Sequence, residues 1–296
     1  MNINRTVLMS DALNFSAEQA INPYYFDSAT NTRVAQAEHD AIRQALTDAG
    51  VEVITTKSPT ESQDGVYTAN WALVRGDTAI LARLPNVRKA EEAHAKKVLE
   101  GLGKKVIETP EGLRFSGQGD ALACGDYLFC GNGYRSDEAA QKFAADTLGY
   151  TRVQLKTIPQ LDEAGNPVVN AVSGWEDSFF YDIDLALSII RHPEVDATSG
   201  VAIPGLIAYC PEAFTAESRE KIQQLDDIEV IEVSLHEAEH AFACNLVSTG
   251  STVVMGDGAP RLKAAFEAQG LEVFTPHIQE LSKGGGYIRC TTLTLD

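Results

Sequence analysis

No run in the 296-residue chain approaches 18 uninterrupted apolar residues, so no segment reads as a membrane-spanning helix. The opening stretch, Met1 to Ser10, lacks a basic run followed by an apolar core, which argues against secretion and membrane insertion. Long Gly, Ser or Gln tracts are missing as well, and only Asp162 to Asn170 has a composition suggesting disorder. No long linker is visible. Cysteine is scarce and odd in number: Cys124, Cys130, Cys210, Cys244 and Cys290 form no C-x-x-C pair, so a disulfide framework is not expected. A reducing, cytoplasmic location fits that usage. Positive charge is in short supply, with 24 Lys and Arg against 42 Asp and Glu and a formal net charge of −18. Such a chain repels phosphate backbones and anionic membranes, so neither nucleic acid nor membrane is an expected partner. The charge suits a small cationic partner, although solubility alone also explains it.

What the chain does have is a core, with 44% hydrophobic residues, and a repeated phrase. A helix end, a turn and a β-branched strand recur as ALTDAGVEVITT from Ala45, VLEGLGKKVIET from Val98, TLGYTRVQLKT from Thr147, KIQQLDDIEVIEV from Lys221 and AFEAQGLEVFTP from Ala265. Gly50, Gly103 and Gly270 stand where a helix needs a left-handed C-terminal residue. Ahead of the phrases lie hairpin-like stretches: WALVRGDTAILARL, ALACGDYLFCGNG, GVAIPGLIAYC and NLVSTGSTVVMG. A fifth is missing, and a C-terminal strand over Ile288 to Leu295, paired with an N-terminal strand over Thr6 to Ser10, would complete it. The expectation is one domain over residues 1–296, built as a ring of five strand-strand-helix-strand units. An ordinary α/β sheet with similar helix-to-strand joints is the alternative.

Four segments, in order along nearly the whole chain, carry a family resemblance. Asp64-Gly-Val-Tyr67-Thr-Ala-Asn70 resembles D-x-V-F-x-x-N/D, and Phe115-Ser116-Gly-Gln-Gly-Asp120 resembles F-E-G-x-G-D. Tyr181-Asp182-Ile-Asp184 resembles Y-H-L-D, and Lys283-Gly284-Gly285-Gly286-Tyr-Ile-Arg-Cys290 resembles a glycine-rich approach to a catalytic cysteine. Together they resemble the amidinotransferase and dimethylarginine dimethylaminohydrolase branch of the guanidino-group-modifying (pentein) superfamily. That resemblance implies a fivefold pseudosymmetric α/β propeller and cysteine-dependent chemistry on a guanidinium or similar amidine. Two positions depart from the pattern: the family glutamate that holds the guanidinium falls on Ser116, and the family histidine that moves protons falls on Asp182.

The chemistry suits these residue types. A guanidinium carbon is deactivated by its delocalised charge, so attack calls for a thiolate, and an adjacent cation, here the substrate itself, lowers a cysteine pKa. Attack by Cys290 leads through a tetrahedral adduct to a thiouronium-type intermediate that water or an acceptor amine resolves. Gly284, Gly285 and Gly286 would let backbone approach the reacting carbon, although such runs are often mere turns. Carboxylates match the planar guanidinium fork, and Asp64, Asp182 and Asp184 are the candidates. Asp182 and Asp184 share a face if their segment is a strand. Asp182 is expected to stay ionised and hold the cation, leaving proton transfer to water or the departing nitrogen. Asn70, Ser116 and Asp120 complete the candidate site from the matched motifs. Arg83 and Arg135, each following a hairpin strand, stand where related enzymes hold a substrate carboxylate.

His236-Glu237-Ala-Glu239-His240 matches the zinc pattern H-E-x-x-H but runs straight into the fourth hairpin, so it is read as a decoy, without the helix and third ligand that zinc needs. His192 is set aside with it. The four other cysteines lie in or beside apolar strands and read as small buried hydrophobes. No cofactor or metal is called for. The first function expected is a hydrolase or amidinotransferase opening a C–N bond of a guanidino or ureido compound. The second is a ligand-binding or interaction protein that kept the frame after losing Glu and His. A homodimer stays open.

Overall fold

The computed structural model describes residues 3–25 and 29–296; Met1 and Asn2, read above with the opening segment, lie outside them. Strand β1 (Thr6–Met9) leads through helix α1 (Thr32–Asp48) to β2 (Glu52–Thr55), which pairs with β1 in parallel. A parallel pair needs such a crossover, and the helix supplies it. The next unit adds the hairpin β3 (Ala72–Arg75) and β4 (Thr78–Leu81), then α2 (Lys89–Gly101), then β5 (Lys105–Glu108) parallel to β4. The third repeats it with β6 (Ala121–Cys124), β7 (Tyr127–Gly131), α3 (Glu138–Leu148) and β8 (Thr151–Leu155).

The fourth unit departs from the expected hairpin. Its first strand is β9 (Leu187–Arg191), followed by a detour through the short pair β10 (Glu194–Val195) and β11 (Ala202–Ile203). Only then come β12 (Gly205–Tyr209), α4 (Ala216–Gln223) and β13 (Ile228–Glu232). GVAIPGLIAYC is therefore not a hairpin by itself: β12 takes its antiparallel partner from residues 187–191, because Pro204 interrupts the apolar run. Helix α5 (Leu235–Ala241) precedes the last unit, β14 (Val247–Ser248), β15 (Thr252–Val254), α6 (Pro260–Ala268) and β16 (Glu272–Phe274).

Finally β17 (Leu293–Thr294) returns to β1, with Val7 opposite Thr294 and Leu8 opposite Leu293. The two ends of the chain thus share one sheet, as expected, although the C-terminal strand is far shorter than Ile288 to Leu295. Residues 288–292 instead turn back on themselves through Thr291 N to Tyr287 O and Thr292 N to Arg289 O. The result is five three-stranded sheets, each with one antiparallel and one parallel pairing; they are separate sheets and no closed sheet forms among the described residues.

The pattern of burial explains the arrangement. Middle strands such as β4 and β12 are almost wholly buried, whereas β2 and β5 keep exposed residues at both ends. Gly50, Gly103, Gly149 and Gly270 take the positive φ angles that end their helices, 86°, 80°, 73° and 79°. The fourth phrase has no such glycine, and α4 closes with Gln224 in a right-handed conformation.

Candidate active site

The motif residues reach one place because irregular backbone, not strand, carries them. Asn70 lies on the turn Thr68–Trp71, Ser116 just before the turn Gly117–Gly119, and Asp182 and Asp184 around the turn Ile183–Leu185. The expected strand at 181–184 is therefore a 3-10 turn. Gly117 is needed at φ 58°, and a Cβ on Gly119 would stand 2.3 Å from the Asn70 amide and 2.7 Å from Asp182 Oδ2. Those two glycines let the segment pass behind the polar groups.

A narrow cavity of about 20 Å³ is lined by Asp64, Asn70, Ser116, Arg135, Asp182 and Cys290. Asp182 Oδ2 accepts from Asn70 Nδ2 at 2.8 Å and from the Ser116 hydroxyl at 3.1 Å. The Cys290 thiol points at Asp184 Oδ2, 3.3 Å away, and Asn245 Nδ2 donates to the sulfur at 3.1 Å while its Oδ1 accepts from Cys290 N at 3.0 Å. Asn245, the first residue of the NLVSTGSTVVMG stretch, thus holds the nucleophile candidate at both ends. Asp182 Oδ1 and Asp184 Oδ1 are buried without a hydrogen-bond partner among the described residues.

Electrostatics follow from burial. Desolvation raises the Asp182 pKa, opposed by the Ser116 hydroxyl, the Arg135 charge and the Asn70 amide. It raises Asp184 well above the usual carboxylate range, with Asp182 adding to the effect. The Cys290 thiol is pushed well up by burial and then by the Asp184 charge, so the empty cavity favours the protonated thiol. Asp64, whose Oδ1 accepts from the Tyr25 hydroxyl, rises to about 6, mainly by burial.

Asp120, Asp184 and Arg83 do not line the cavity. Asp120 accepts from Ile183 N at 3.1 Å and so braces the turn between the other two aspartates. Arg83 is placed differently from the expectation: its guanidinium is taken by Glu108, Glu92 and the Thr109 carbonyl, on the outer side of its unit. The arginine at this corner of the cavity is Arg88, which the sequence reading missed. It is clamped by both oxygens of Glu91 at 2.7 Å and donates to Asn70 Oδ1 at 3.0 Å. An arginine three residues before a glutamate on a helix start was the available signal. Arg135, 5% exposed, donates to the Ile21 carbonyl, lies 3.6 Å from Asp177 Oδ1 and stacks over Tyr181, while its Nη1 has no partner among the described residues.

The glycine run, whose Gly284 and Gly286 line the cavity, also makes room for two neighbouring side chains. A Cβ on Gly284 would fall 2.2 Å from the Tyr67 hydroxyl, one on Gly286 2.3 Å from the Tyr67 ring, and one on Gly285 2.5 Å from Asn22 Oδ1. The run leaves room for Tyr67 and Asn22, which in turn fix it through Tyr67 OH to Leu281 O at 2.6 Å and Asn22 Nδ2 to Gly284 O at 3.1 Å.

The zinc-like segment also differs from expectation, since His236 to His240 lies on helix α5. The two imidazoles stack at 4.6 Å, and Glu237 turns away to cap α6 by accepting from Arg261 N at 2.9 Å and Leu262 N at 3.2 Å. His192 contacts the Ala123 carbonyl through Nε2. All five cysteines are free and buried.

A model of the family described as N,N dimethylarginine dimethylhydrolase, eukaryotic, matches residues 14–169, more than half of the chain. The N(G),N(G)-dimethylarginine dimethylaminohydrolase of Mycobacterium tuberculosis is 29% identical over 98% of this chain and 86% of its own length. The bifunctional arginine dihydrolase/ornithine cyclodeaminase AgrE of a Nostoc species is 31% identical over 78% of this chain, which spans only 29% of that protein. Among solved structures, the substrate-bound N-terminal domain of the cyanobacterial arginine dihydrolase ArgZ, a mutant form, superposes with a TM-score of 0.81 at 26% identity over 97% of both chains. A dimethylarginine dimethylaminohydrolase adduct with S-methyl-L-thiocitrulline gives a TM-score of 0.69 at 15% identity over 99% of both, which supports the fold alone.

Proposed function

This chain belongs to the N,N-dimethylarginine dimethylhydrolase family, and from that premise we propose that it is a cysteine-dependent hydrolase opening a C–N bond of an arginine-like guanidino compound. The observation that carries the reading is the Cys290 sulfur held between the Asn245 amide and the Asp184 carboxylate, in a cavity that also presents Asp182 and the part-paired Arg135. A guanidinium placed in the cavity against Asp182, with Asp184 behind the Cys290 sulfur, lowers the pKa values of all three groups, against the effect of burial. The thiol proton then passes to Asp184, and the sulfur bonds to the guanidinium carbon. The leaving amine departs with a proton, and water releases the ureido product and returns the sulfur. Water is favoured over an amine acceptor because the relatives are named as hydrolases. Arg135 is the group suited to the substrate carboxylate, and Arg88, bonded to Asn70, lines the same cavity.

The departures at 116 and 182 compensate one another. Where the family pattern has a glutamate, Ser116 offers a hydroxyl, and it donates to the carboxylate that Asp182 brings in place of histidine. One carboxylate is retained and moved, while the imidazole is lost, so slow turnover is expected. The five sheets form a single propeller-like domain in this reading.

The second reading, a non-enzymatic guanidino-binding protein, draws on the protonated Cys290 and the missing imidazole. The two separate in one experiment: release of amine or ammonia from arginine and its N-methyl derivatives, measured for the wild type and Cys290→Ala. The proposal expects turnover that Cys290→Ala abolishes, with ligand affinity nearly unchanged. Binding without turnover in the wild type supports the second reading.

A further inference from the structure

Arg289 precedes Cys290 in the chain but lines a different cavity, one of about 480 Å³ that also receives Arg5, Arg75 and His192. In a chain of net charge −18 three arginines meet here; Arg5 pairs with Asp296 and Arg75 with Asp126, while burial keeps His192 toward its neutral form. Arg289 is 8% exposed, and its guanidinium donates from Nη1 to the Thr294 hydroxyl and from Nη2 to Gln118 Oε1, each at 2.9 Å. Both acceptors are neutral, and none of the ion pairs found among the described residues includes Arg289; the Asp184 and Asp296 charges act on it without a contact pair. A guanidinium taken out of water without a counterion in contact is costly, and arginine does not escape the cost by losing its proton.

The partners of this arginine are themselves fixed. Gln118, the middle residue of the Ser116 to Asp120 motif, also accepts from Thr294 N at 2.8 Å and donates to Thr294 O at 2.9 Å. The Thr294 hydroxyl donates to Asn4, whose amide reaches the Ser248 carbonyl at 2.8 Å. The guanidinium is thus held in place by a satisfied polar floor while facing open space. At the mouth, Arg75 is anchored by the Leu148 and Gly149 carbonyls, lies over the Tyr150 ring and pairs through Nη2 with the exposed Asp126 at 2.8 Å. Among the described residues Asp296 is the one carboxylate lining the cavity, and Arg5 and the Thr6 amide hold it.

We propose that this cavity is a binding site for a small free oxyanion of phosphate or sulfate size, seated on Arg289 with Arg75 contributing from the mouth. A planar guanidinium fork matches two oxygens of such an anion, and the fixed floor removes most of the ordering cost. Asp296 works against the anion, which gives the site a residue whose removal strengthens binding.

The test is titration of the full chain with inorganic phosphate, followed by calorimetry and by the phosphorus resonance of the ligand. Saturable binding displaced by sulfate is expected, weakened about tenfold or more by Arg289→Gln and several-fold by Arg75→Gln, and tightened by Asp296→Asn. Arg289 is buried and its variant can fail to fold, so the Arg75 and Asp296 variants decide independently. No saturable phosphate binding, or binding that none of the three substitutions moves, overturns the proposal.

Discussion

Asp182 is the residue on which the chemistry of the cavity turns. Its Oδ2 is occupied by Asn70 and Ser116 while its Oδ1 is buried without a partner, a geometry suited to holding one more donor. Asp182→Asn should weaken a guanidino ligand about tenfold, roughly 1.4 kcal/mol, as measured by calorimetry. Asp182→His alone would leave Ser116 facing an imidazole and no carboxylate, so it should gain rate only when combined with Ser116→Glu. A higher kcat in Asp182→His alone would mean that Asp182 is not the cation holder. Single residues were unevenly legible. The sequence motifs gave Asp64, Asn70, Ser116, Asp182 and Cys290, which all line the cavity. Arg83 and Arg88 were confused because both follow β4 within a few residues, and only the side-chain direction separates them. Asp182, expected to stay ionised, is instead buried together with Asp184 and Asp120, and burial raises its pKa.

At the scale of elements, the approach to Cys290 is held from outside. The Glu38 carboxylate of α1 accepts from the amides of Gln279, Glu280 and Leu281, each at 2.9 Å, fixing the turn Leu281–Gly284 before the glycines begin. The glycines then pack against Tyr67 and Asn22 with no room for a methyl group. Gly286→Ala should cost about 1–3 kcal/mol by denaturant unfolding, since the ring it meets is buried and tied by its hydroxyl. In a Tyr67→Ala background the same substitution should cost less, as a double-mutant cycle would show; unchanged stability in Gly286→Ala would show that the run is only a turn. Helix ends were readable because a left-handed residue at a C-terminus demands glycine. The fourth unit was not, because its first strand lies before a detour that no local pattern announces.

For the whole molecule, the pairing of β1 with β17 was legible from counting four hairpins against five phrases, and it places Cys290 a few residues from the strand that joins the two ends. The same assembly buries several carboxylates, with a consequence for stability. Burial raises Asp64, Asp120, Asp182 and Asp184 above their unfolded values, so the folded chain holds more protons than the unfolded chain in the interval between. The penalty is absent below the unfolded value, about 4, and for Asp64 is complete above about 6. Stability should therefore fall as pH rises through that window, with Asp64 contributing on the order of 2–3 kcal/mol. His39, whose imidazole pKa burial lowers to about 4, acts in the opposite direction over the same interval, so the Asp64 part is read by difference: from pH 5 to pH 7 the thermal midpoint of Asp64→Asn is expected to rise relative to that of the wild type. A gap between the two that does not change with pH would contradict this reading.

The central claim is that Cys290 becomes a nucleophile when a cation of guanidinium type sits beside it, and alkylation measures this most directly. Chloroacetamidine carries such a cation and iodoacetamide does not, so the two report the same thiol with and without the charge that lowers its pKa. Chloroacetamidine should label Cys290 far faster than iodoacetamide, with the mass increase on the peptide containing Cys290 and with protection by arginine. Equal, slow labelling by the two reagents, or labelling that arginine does not slow, would contradict the account.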